Sequence, residues 1–412
     1  MKTTAHLKPS EPLLVGVYEN RLTVRSLRDE TVLKLFIYVN NKCVSTIPDE
    51  CREVGEELST FPKKKAPIFG EDIVSAFGNK GINMCRAFLG PSFRDSGTYI
   101  PKDDNDEFLI YRCNMGAISM NLPMMWKKSQ VEGRDWFEVL DEFMNKIKNI
   151  HKRTYNYLCK LKASCNPLVF CEGGFDGGTL NPDESIKPIL DKATISFGYG
   201  GLHELNMLAT GKSTTEDPSF AIATMERINK NVDKFKKQTG ILFAIYGTPG
   251  ESWLPLANEQ FVKKYGEVPG IIVKGGYLSN SFHCCVREDI TPIEKMNAEA
   301  KFWNYSNGGK ISHIRINNIE NTEGIISLIR YGMSLGLYLG VNHPENHCLD
   351  CSCHWAGDDS SDDKDDVCPE CGSHNLIKIR RMNGYLSFTR TQTGDTRFHE
   401  GKMKEIKERK NM

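Results

Sequence analysis

Thr194-Ile195-Ser196-Phe197-Gly198-Tyr199-Gly200-Gly201-Leu202 is the stretch whose reading decides the fold. Thr194 to Phe197 is a short run of β-branched and aromatic residues, the make-up of a buried strand. Gly198 to Gly201 end it, and helical spacing begins at Leu202. A strand that passes through a glycine turn into a helix is half of a β-α-β unit. The same alternation continues outward in both directions. Upstream, Ala117 to Leu122 reads as a strand stopped by Pro123. Trp136 to Leu161 reads as a long amphipathic helix, its apolar stripe running through Phe137, Leu140, Phe143, Ile147, Ile150, Leu158 and Leu161. Leu168-Val169-Phe170 reads as a buried strand. Downstream come a helix over Phe220 to Gln238, a strand over Ile241 to Tyr246 and a helix over Ser252 to Tyr265. Strands at Ile271-Ile272-Val273 and Ile311 to Ile316 follow, then a helix over Gly324 to Leu335. Strands alternating with helices of this length predict an α/β fold with a largely parallel sheet, open or closed as a barrel. At the N-terminus Leu13 to Val17 and Val32 to Val39 read as short strands. Lys63-Lys64-Lys65, between Pro62 and Pro67, reads as a junction.

Bulk properties narrow the class. The 412 residues suffice for a large core or for two to three domains. With 53 basic and 53 acidic residues there is no net field to favour nucleic acid or membrane. No apolar run approaches the ~18 residues that a spanning helix needs, and Met1-Lys2-Thr3-Thr4 does not begin a signal peptide. A cytoplasmic protein is expected. In that compartment the 14 cysteines point to metal binding or thiol chemistry rather than disulfides.

Near the C-terminus Cys348-x2-Cys351 and Cys368-x2-Cys371 stand 16 residues apart. Two such pairs predict a closed tetrahedral Zn2+ site that contributes folding energy rather than catalysis. Pro369 and Gly372 suit its tight turns. Cys353, His347, His354 and His374 lie close enough to act as alternative ligands, and four unrelated thiols are the plain alternative. The acidic run from Asp358 to Asp366 between the pairs reads as a solvated loop tip.

Directly after the knuckle, Arg381-Met382-Asn383-Gly384-Tyr385-Leu386, then Arg397-Phe398-His399-Glu400-Gly401-Lys402 and a charged tail, resemble the glycyl-radical loop of class III (anaerobic) ribonucleotide reductases. Met84-Cys85-Arg86-Ala87-Phe88-Leu89 resembles that family's thiyl-cysteine loop, and Asn114-Met115-Gly116 opens a strand similar to its Asn-x-Gly strand. Ile195 to Glu204, Tyr246 to Ser252 and Lys274 to His283 resemble its active-site loops. The resemblance covers about residues 66–412. It implies a ten-stranded glycyl-radical-enzyme barrel, of which mainly the C-terminal half is encoded here, plus a small zinc ribbon. The implied segments are 1–65 as an N-terminal region, 66–340 as the reductase half barrel, 341–376 as the knuckle, and 377–412 as the radical loop and tail.

Further expectations rest on this likeness. Gly384 would be modified to a glycyl radical by a separate activating enzyme carrying a 4Fe–4S cluster and S-adenosylmethionine. Only glycine leaves the Cα radical planar between its amide and carbonyl, and only glycine allows so close a backbone approach. Cys85 would relay the radical as a thiyl to the ribose of a ribonucleoside triphosphate. Formate or a dithiol would supply the reducing electrons, and the product would serve DNA synthesis. Asn114 would hold the ribose, since an amide both donates and accepts. Gly198, Tyr199, Gly200, His203 and Glu204, with Thr248, Pro249, Gly250, Glu251 and Ser252, would bind the substrate, helix starts being suited to phosphates.

A homodimer is expected, without membrane or nucleic-acid partners. Only 84 residues precede Cys85, fewer than the family's first half barrel and ATP-binding cone require, so the expectation divides three ways: a separate N-terminal half-barrel chain is a further partner, residues 1–60 replace some of the strands, or the chain is a fragment of a split gene. Cys43 and Cys51 are the candidates for the family's second active-site cysteine. Three rivals stand beside this reading. One is a pyruvate formate-lyase type enzyme, suggested by Cys284-Cys285. Another is a non-catalytic reductase fragment. The third is a nucleic-acid-binding ribbon, suggested by Lys378, Arg380, Arg381 and Arg390.

Overall fold

In the computed structural model, residues 114–173, 178–191, 193–316, 321–357, 367–382, 386–389, 396 and 398–410 are described, together with the backbone of seven short strands nearer the N-terminus. The chain divides into two compact units, Met1–Gly78 and Asn79–Met412. In the first, β1 (Leu13–Tyr18), β2 (Arg21–Ser26) and β3 (Val32–Lys34) form an antiparallel sheet, and β4 (Tyr38–Val39) pairs with β5 (Lys42–Cys43). The second opens with an antiparallel pair, β6 (Gly81–Asn83) and β7 (Ala87–Leu89).

A wall of parallel strands organises the second unit. Strands β8 (Asn114–Asn121), β9 (Thr194–Gly200) and β10 (Leu242–Gly247) lie side by side in chain order. Beyond β10, Gly247 N–H donates to Gly309 O at 2.8 Å and Gly308 N–H to Ile245 O at 2.7 Å. The chain then continues into β11 (Ser312–Arg315), which pairs in parallel with β12 (Leu339–Asn342). Strands that neighbour one another in sequence order, each pair joined through helix, build a singly wound wall of the kind that curves into a barrel.

Helix α1 (Leu122–Glu132) follows β8 directly, and α2 (Trp136–Leu158) leads towards β9. The short helices α3 (Pro167–Phe170) and α4 (Lys187–Leu190) complete that connection. Helices α5 (Leu202–Thr210) and α6 (Ser219–Thr239) join β9 to β10, and α7 (Trp253–Tyr265) and α8 (Pro292–Ala300) lie between β10 and β11. Helix α9 (Thr322–Ser334) precedes β12. Local chemistry sets several starts. Asp135 accepts from Phe137 N and Glu138 N to begin α2, and Thr291 with Glu294 forms a capping box on α8. Among the described residues no helix is long and apolar enough to cross a membrane.

One face of the wall is apolar. Ile195, Phe197 and Tyr199 of β9 and Phe243 and Ile245 of β10 are buried against α2 and α6. Phe197 meets Phe243 edge-on at 5.4 Å and Phe235 at 5.9 Å. Each such side chain contributes roughly 1.5–3 kcal/mol through burial.

Three expectations are corrected. The buried stripe of α2 runs through Trp136, Leu140, Met144, Ile147 and His151, while Ile150 points outward, and the helix ends at Leu158 rather than Leu161. The polar His151 belongs to the stripe because its Nε2 lies 3.0 Å from Ser196 O of β9. Leu168-Val169-Phe170 is a helical turn, not a strand: Pro167 sits at its first position and the Asn166 side chain accepts from Val169 N. Ile271-Ile272-Val273 forms a turn held by a single bridge between Val268 and Ile272, too short a run between glycines for a ladder.

Candidate active site and candidate metal centre

The period of a strand is two, so the residues that alternate with the apolar ones face the other side of the wall. There stand Thr194, Ser196, Gly198 and Gly200 of β9, with Ala117 and Ser119 of β8 and Ala244 of β10 beside them in register. This face is small and hydroxyl-rich. Asn114 Nδ2 donates to Ser196 Oγ at 2.7 Å, and Asn114 Oδ1 accepts from Gly116 N at 2.8 Å across a bulge in β8. Ser119 and Thr248 join hydroxyls at 2.7 Å over Gly198. A Cβ on Gly198 would lie 2.3 Å from both oxygens, so this bridge requires glycine beneath it.

The loops at the C-terminal ends of the strands are fastened to one another. Gly201, at φ +73°, donates its N–H to Ser279 O at 2.9 Å. Glu204 Oε1 accepts from Ser279 N at 2.9 Å and from Ser279 Oγ at 2.7 Å, in a buried setting. Asn280 Nδ2 donates to Pro249 O at 2.7 Å. Loops 198–204, 248–252 and 279–283 therefore converge above the polar face, with Gly250, Glu251 and Ser252 at the start of α7.

Not every residue expected at the site faces it. Tyr199 turns to the apolar side, where its hydroxyl meets Ser306 Oγ at 2.6 Å. His203 lies near Thr214 Oγ1 at 3.4 Å and within 4.0 Å of Glu288. Gly384 and Cys85 lie outside the described residues, as do Cys51, Cys113, Arg390 and the acidic run Asp358–Asp366; of Cys43 only the backbone is described. Reading the sequence did not single out Ser119, Ser196, Ser279 or Asn280. The alternation of Thr194, Ser196, Gly198 and Gly200 with Ile195, Phe197 and Tyr199 is the signal that finds the first two.

Behind loop 279–283 lies a buried ionic centre. Glu299 accepts from His283 Nδ1 at 3.0 Å, Ser312 Oγ at 2.6 Å, Cys284 N at 3.3 Å and the Lys295 ammonium. Burial alone would raise this carboxyl, but Lys295 and His283 outweigh it and hold Glu299 far below the ordinary carboxylate range. Cys284 and Cys285 are buried, and burial pushes both thiols up, so they are held as thiols rather than thiolates.

The C-terminal sheet has the order β14 (His354–Ala356), β13 (Glu345–Cys348), β15 (Leu376–Arg381) and β16 (Leu386–Phe388), all antiparallel. Two matching turns carry its cysteines. Ser352 N–H returns to Cys348 O at 3.0 Å and Gly372 N–H to Cys368 O at 2.9 Å, with Ser352 and Gly372 both at positive φ. Cys348 N–H reaches Cys353 O at 2.9 Å and Cys368 N–H reaches Ser373 O at 2.8 Å. Asp350 ties the turns together, accepting from the Ser373 hydroxyl and, at 2.8 Å, from Asn375 Nδ2.

The sulfurs of Cys348, Cys351, Cys368 and Cys371 all lie within 4.8 Å of one another, a group that could hold a metal ion. Burial would raise Cys368, but backbone donors of Cys371 and Glu370 and the neighbouring sulfurs bring its thiol down to about 6. Four thiols with one already biased towards thiolate suit a tetrahedral soft-ligand site. Cys353, His347, His354 and His374 are not part of the cluster. Arg380 is buried and donates to Glu345 O at 2.7 Å and to Asn346 Oδ1 at 3.2 Å, and Lys378 is buried too. These two cations are therefore directed into the sheet rather than onto its surface.

Comparisons with known proteins agree with this architecture. A family model described as anaerobic ribonucleoside-triphosphate reductase matches residues 58–412. The anaerobic ribonucleoside-triphosphate reductase of Escherichia coli (strain K12) is 31% identical over 351 residues, covering 82% of this chain and 47% of the relative. That of Enterobacteria phage T4 is 30% identical over 347 residues, covering 82% and 55%. Among solved structures, an anaerobic ribonucleotide reductase superposes with a TM-score of 0.58 at 15% identity, covering 92% of this chain and 54% of that one. The Thermotoga maritima anaerobic ribonucleotide reductase with glycerol in its active site gives 0.55 at 16% identity, covering 86% and 53%. These two likenesses give the fold: the parallel wall corresponds to part of the barrel of those enzymes. The chain spans about half the length of the curated relatives it matches. A match that runs unbroken through the wall, its loops and the cysteine sheet shows that this chain belongs to the anaerobic ribonucleoside-triphosphate reductase family.

Proposed function

We propose that this chain provides the radical end of an enzyme that reduces ribonucleoside triphosphates to deoxyribonucleoside triphosphates without oxygen. The observation that carries the proposal is the polar wall face in a chain of this family: Asn114 and Ser196 are bonded to each other on the face whose strands run on into loops 198–204 and 248–252, a polar setting suited to a sugar and its phosphates. Cys85 takes hydrogen from the ribose and Gly384 stores the radical between turnovers. Asn114 positions the sugar through its amide, and the α7 start faces the phosphates. The tight loop packing keeps water from the radical intermediates. Gly384 is activated by a separate radical-forming enzyme with a 4Fe–4S cluster and S-adenosylmethionine. Formate or a dithiol restores the sugar. Zn2+ is held by Cys348, Cys351, Cys368 and Cys371 and stabilises the sheet that leads into the Gly384 loop. A homodimer is the proposed assembly, and a further half-barrel segment completes the ring of strands.

Anaerobic activation followed by electron paramagnetic resonance tests this directly. A glycine-centred doublet is expected and should vanish in Gly384→Ala. Cys85→Ser should keep the doublet and form no deoxyribonucleotide. Air after activation should cut the chain at Gly384. A chain that stays silent and uncut, under conditions that activate a control reductase, refutes the reading.

A further inference from the structure

Strand β8 slips register against β9 near its start: Asn114 pairs with Thr194 and Ala117 with Ser196, so β8 carries one extra residue there. A bulge of this kind re-aims the side chain beside it. Gly116 makes the bend at φ +140°, a conformation that residues with side chains rarely adopt. Its N–H returns to Asn114 Oδ1 at 2.8 Å. The amide passes Thr194, whose hydroxyl makes no hydrogen bond among the described residues, and donates to Ser196 Oγ at 2.7 Å.

These two bonds fix more than a direction. A backbone N–H can only donate, so the oxygen end of the amide faces Gly116 and the nitrogen end faces Ser196. One N–H of Nδ2 and one lone pair of Oδ1 are left over for a ligand. Asn114 is half-buried and Gly116 and Ala117 are exposed, whereas Ser196 is fully buried. Ser196 therefore acts on a ligand only through Asn114. It is held from behind as well. His151 of α2 places Nε2 3.0 Å from Ser196 O, with its ring edge-on to Phe197 at 5.1 Å and 6.1 Å from Phe243. The peptide of Ser196 is fastened to the packed side of the wall while its hydroxyl serves the polar side.

We propose that Ser196 is a positioning residue for ribose recognition: together with the Gly116 bulge it sets the Asn114 amide in the one orientation that offers the sugar a donor and an acceptor at known ends. The inference rests on the reading of Asn114 as the ribose contact and deepens it. An amide without these two partners rotates about its last side-chain bond and can present its ends in reverse. A misplacement of about 1 Å at a reacting centre can cost about 10²-fold in rate. Ser196 and Gly116 remove that freedom before substrate arrives.

The test is a double-mutant cycle on kcat/KM of the anaerobically activated enzyme, with the glycyl doublet counted in every variant. Ser196→Ala should lower kcat/KM about tenfold or more while the doublet keeps its full size. In an Asn114→Ala background the same change should cost less than about twofold further, because the amide through which it acts is gone. A merely structural role would lower both backgrounds alike. Gly116→Ala is an independent approach. A Cβ there meets no atom within 4 Å, so packing is undisturbed, yet the bend is strained, and kcat/KM should fall as in Ser196→Ala. This variant decides the matter if Ser196→Ala does not fold. Equal losses in the two backgrounds, or full activity in Ser196→Ala and Gly116→Ala beside an impaired Asn114→Ala, overturn the proposal and leave the reductase reading standing. Full activity in Asn114→Ala overturns the ribose contact itself, and this proposal with it.

Discussion

Every residue of β9 is buried, whereas β16 in the cysteine sheet leaves Leu386 and Phe388 more than half exposed. The wall draws on a large apolar core shared with α2 and α6. Beside the cysteine sheet, Met382, Phe398 and Ile406 make a cluster of three buried apolar residues among the described residues. The difference teaches that the two sheets are built differently: the wall rests on packing, while the C-terminal sheet brings together four sulfurs that could hold a metal ion.

Metal removal should break this contrast most visibly. Structural zinc contributes ~10–16 kcal/mol in small domains. Chelation should therefore abolish amide protection in β13, β14 and β15 while β8, β9 and β10 stay protected, as read by hydrogen-exchange mass spectrometry. Equal loss in both sheets would erase the distinction. Phe197→Ala strikes the other side and should cost about 3–5 kcal/mol in denaturant unfolding, with the zinc content of the folded protein unchanged.

A smaller effect comes from His151. Burial lowers its imidazole from 6.5 to about 4, opposed only in part by its bond to Ser196 O. The folded state therefore keeps His151 neutral where the unfolded chain takes up a proton. Its contribution, about 3 kcal/mol, is complete above pH 6.5 and is lost as the pH falls through 4. Stability measured across that window should slope downward with acid, and His151→Gln should flatten the slope. The smallest expected change is Gly198→Ala, about 1–3 kcal/mol, seen as a lower denaturation midpoint with an unchanged slope, because the added methyl meets Ser119 and Thr248.

What the sequence revealed follows from the same contrast. The Cys348, Cys351, Cys368 and Cys371 quartet was legible because its spacing is a local property, and the two matched turns realise it without help from distant residues. Strands β9 and β10 and helix α6 were legible because their periodicity is strong. Helix α2 was placed correctly but rotated, since a periodicity count treats His151 as polar, while the wall offers it a carbonyl partner. The short runs at 168–170 and 271–273 failed because apolar content alone cannot separate a strand from a buried turn, and at 167 the proline decided the outcome. The fastening of Ser279 to Glu204 and of Asn280 to Pro249 could not be read at all. These bonds join residues 75 and 31 positions apart, and nothing local announces them.

The consecutive order of β8 to β12 bears on how the chain is made. Each strand docks beside the one synthesised just before it, so the wall can grow edge-on during translation without waiting for a distant segment. The longest closure is the first, from β8 to β9, and the later ones are shorter. Strand β12 joins last, and Asn342 at its end is gripped by Arg381 of β15. The cysteine sheet therefore closes onto a finished edge, after the strands of the wall are already in place.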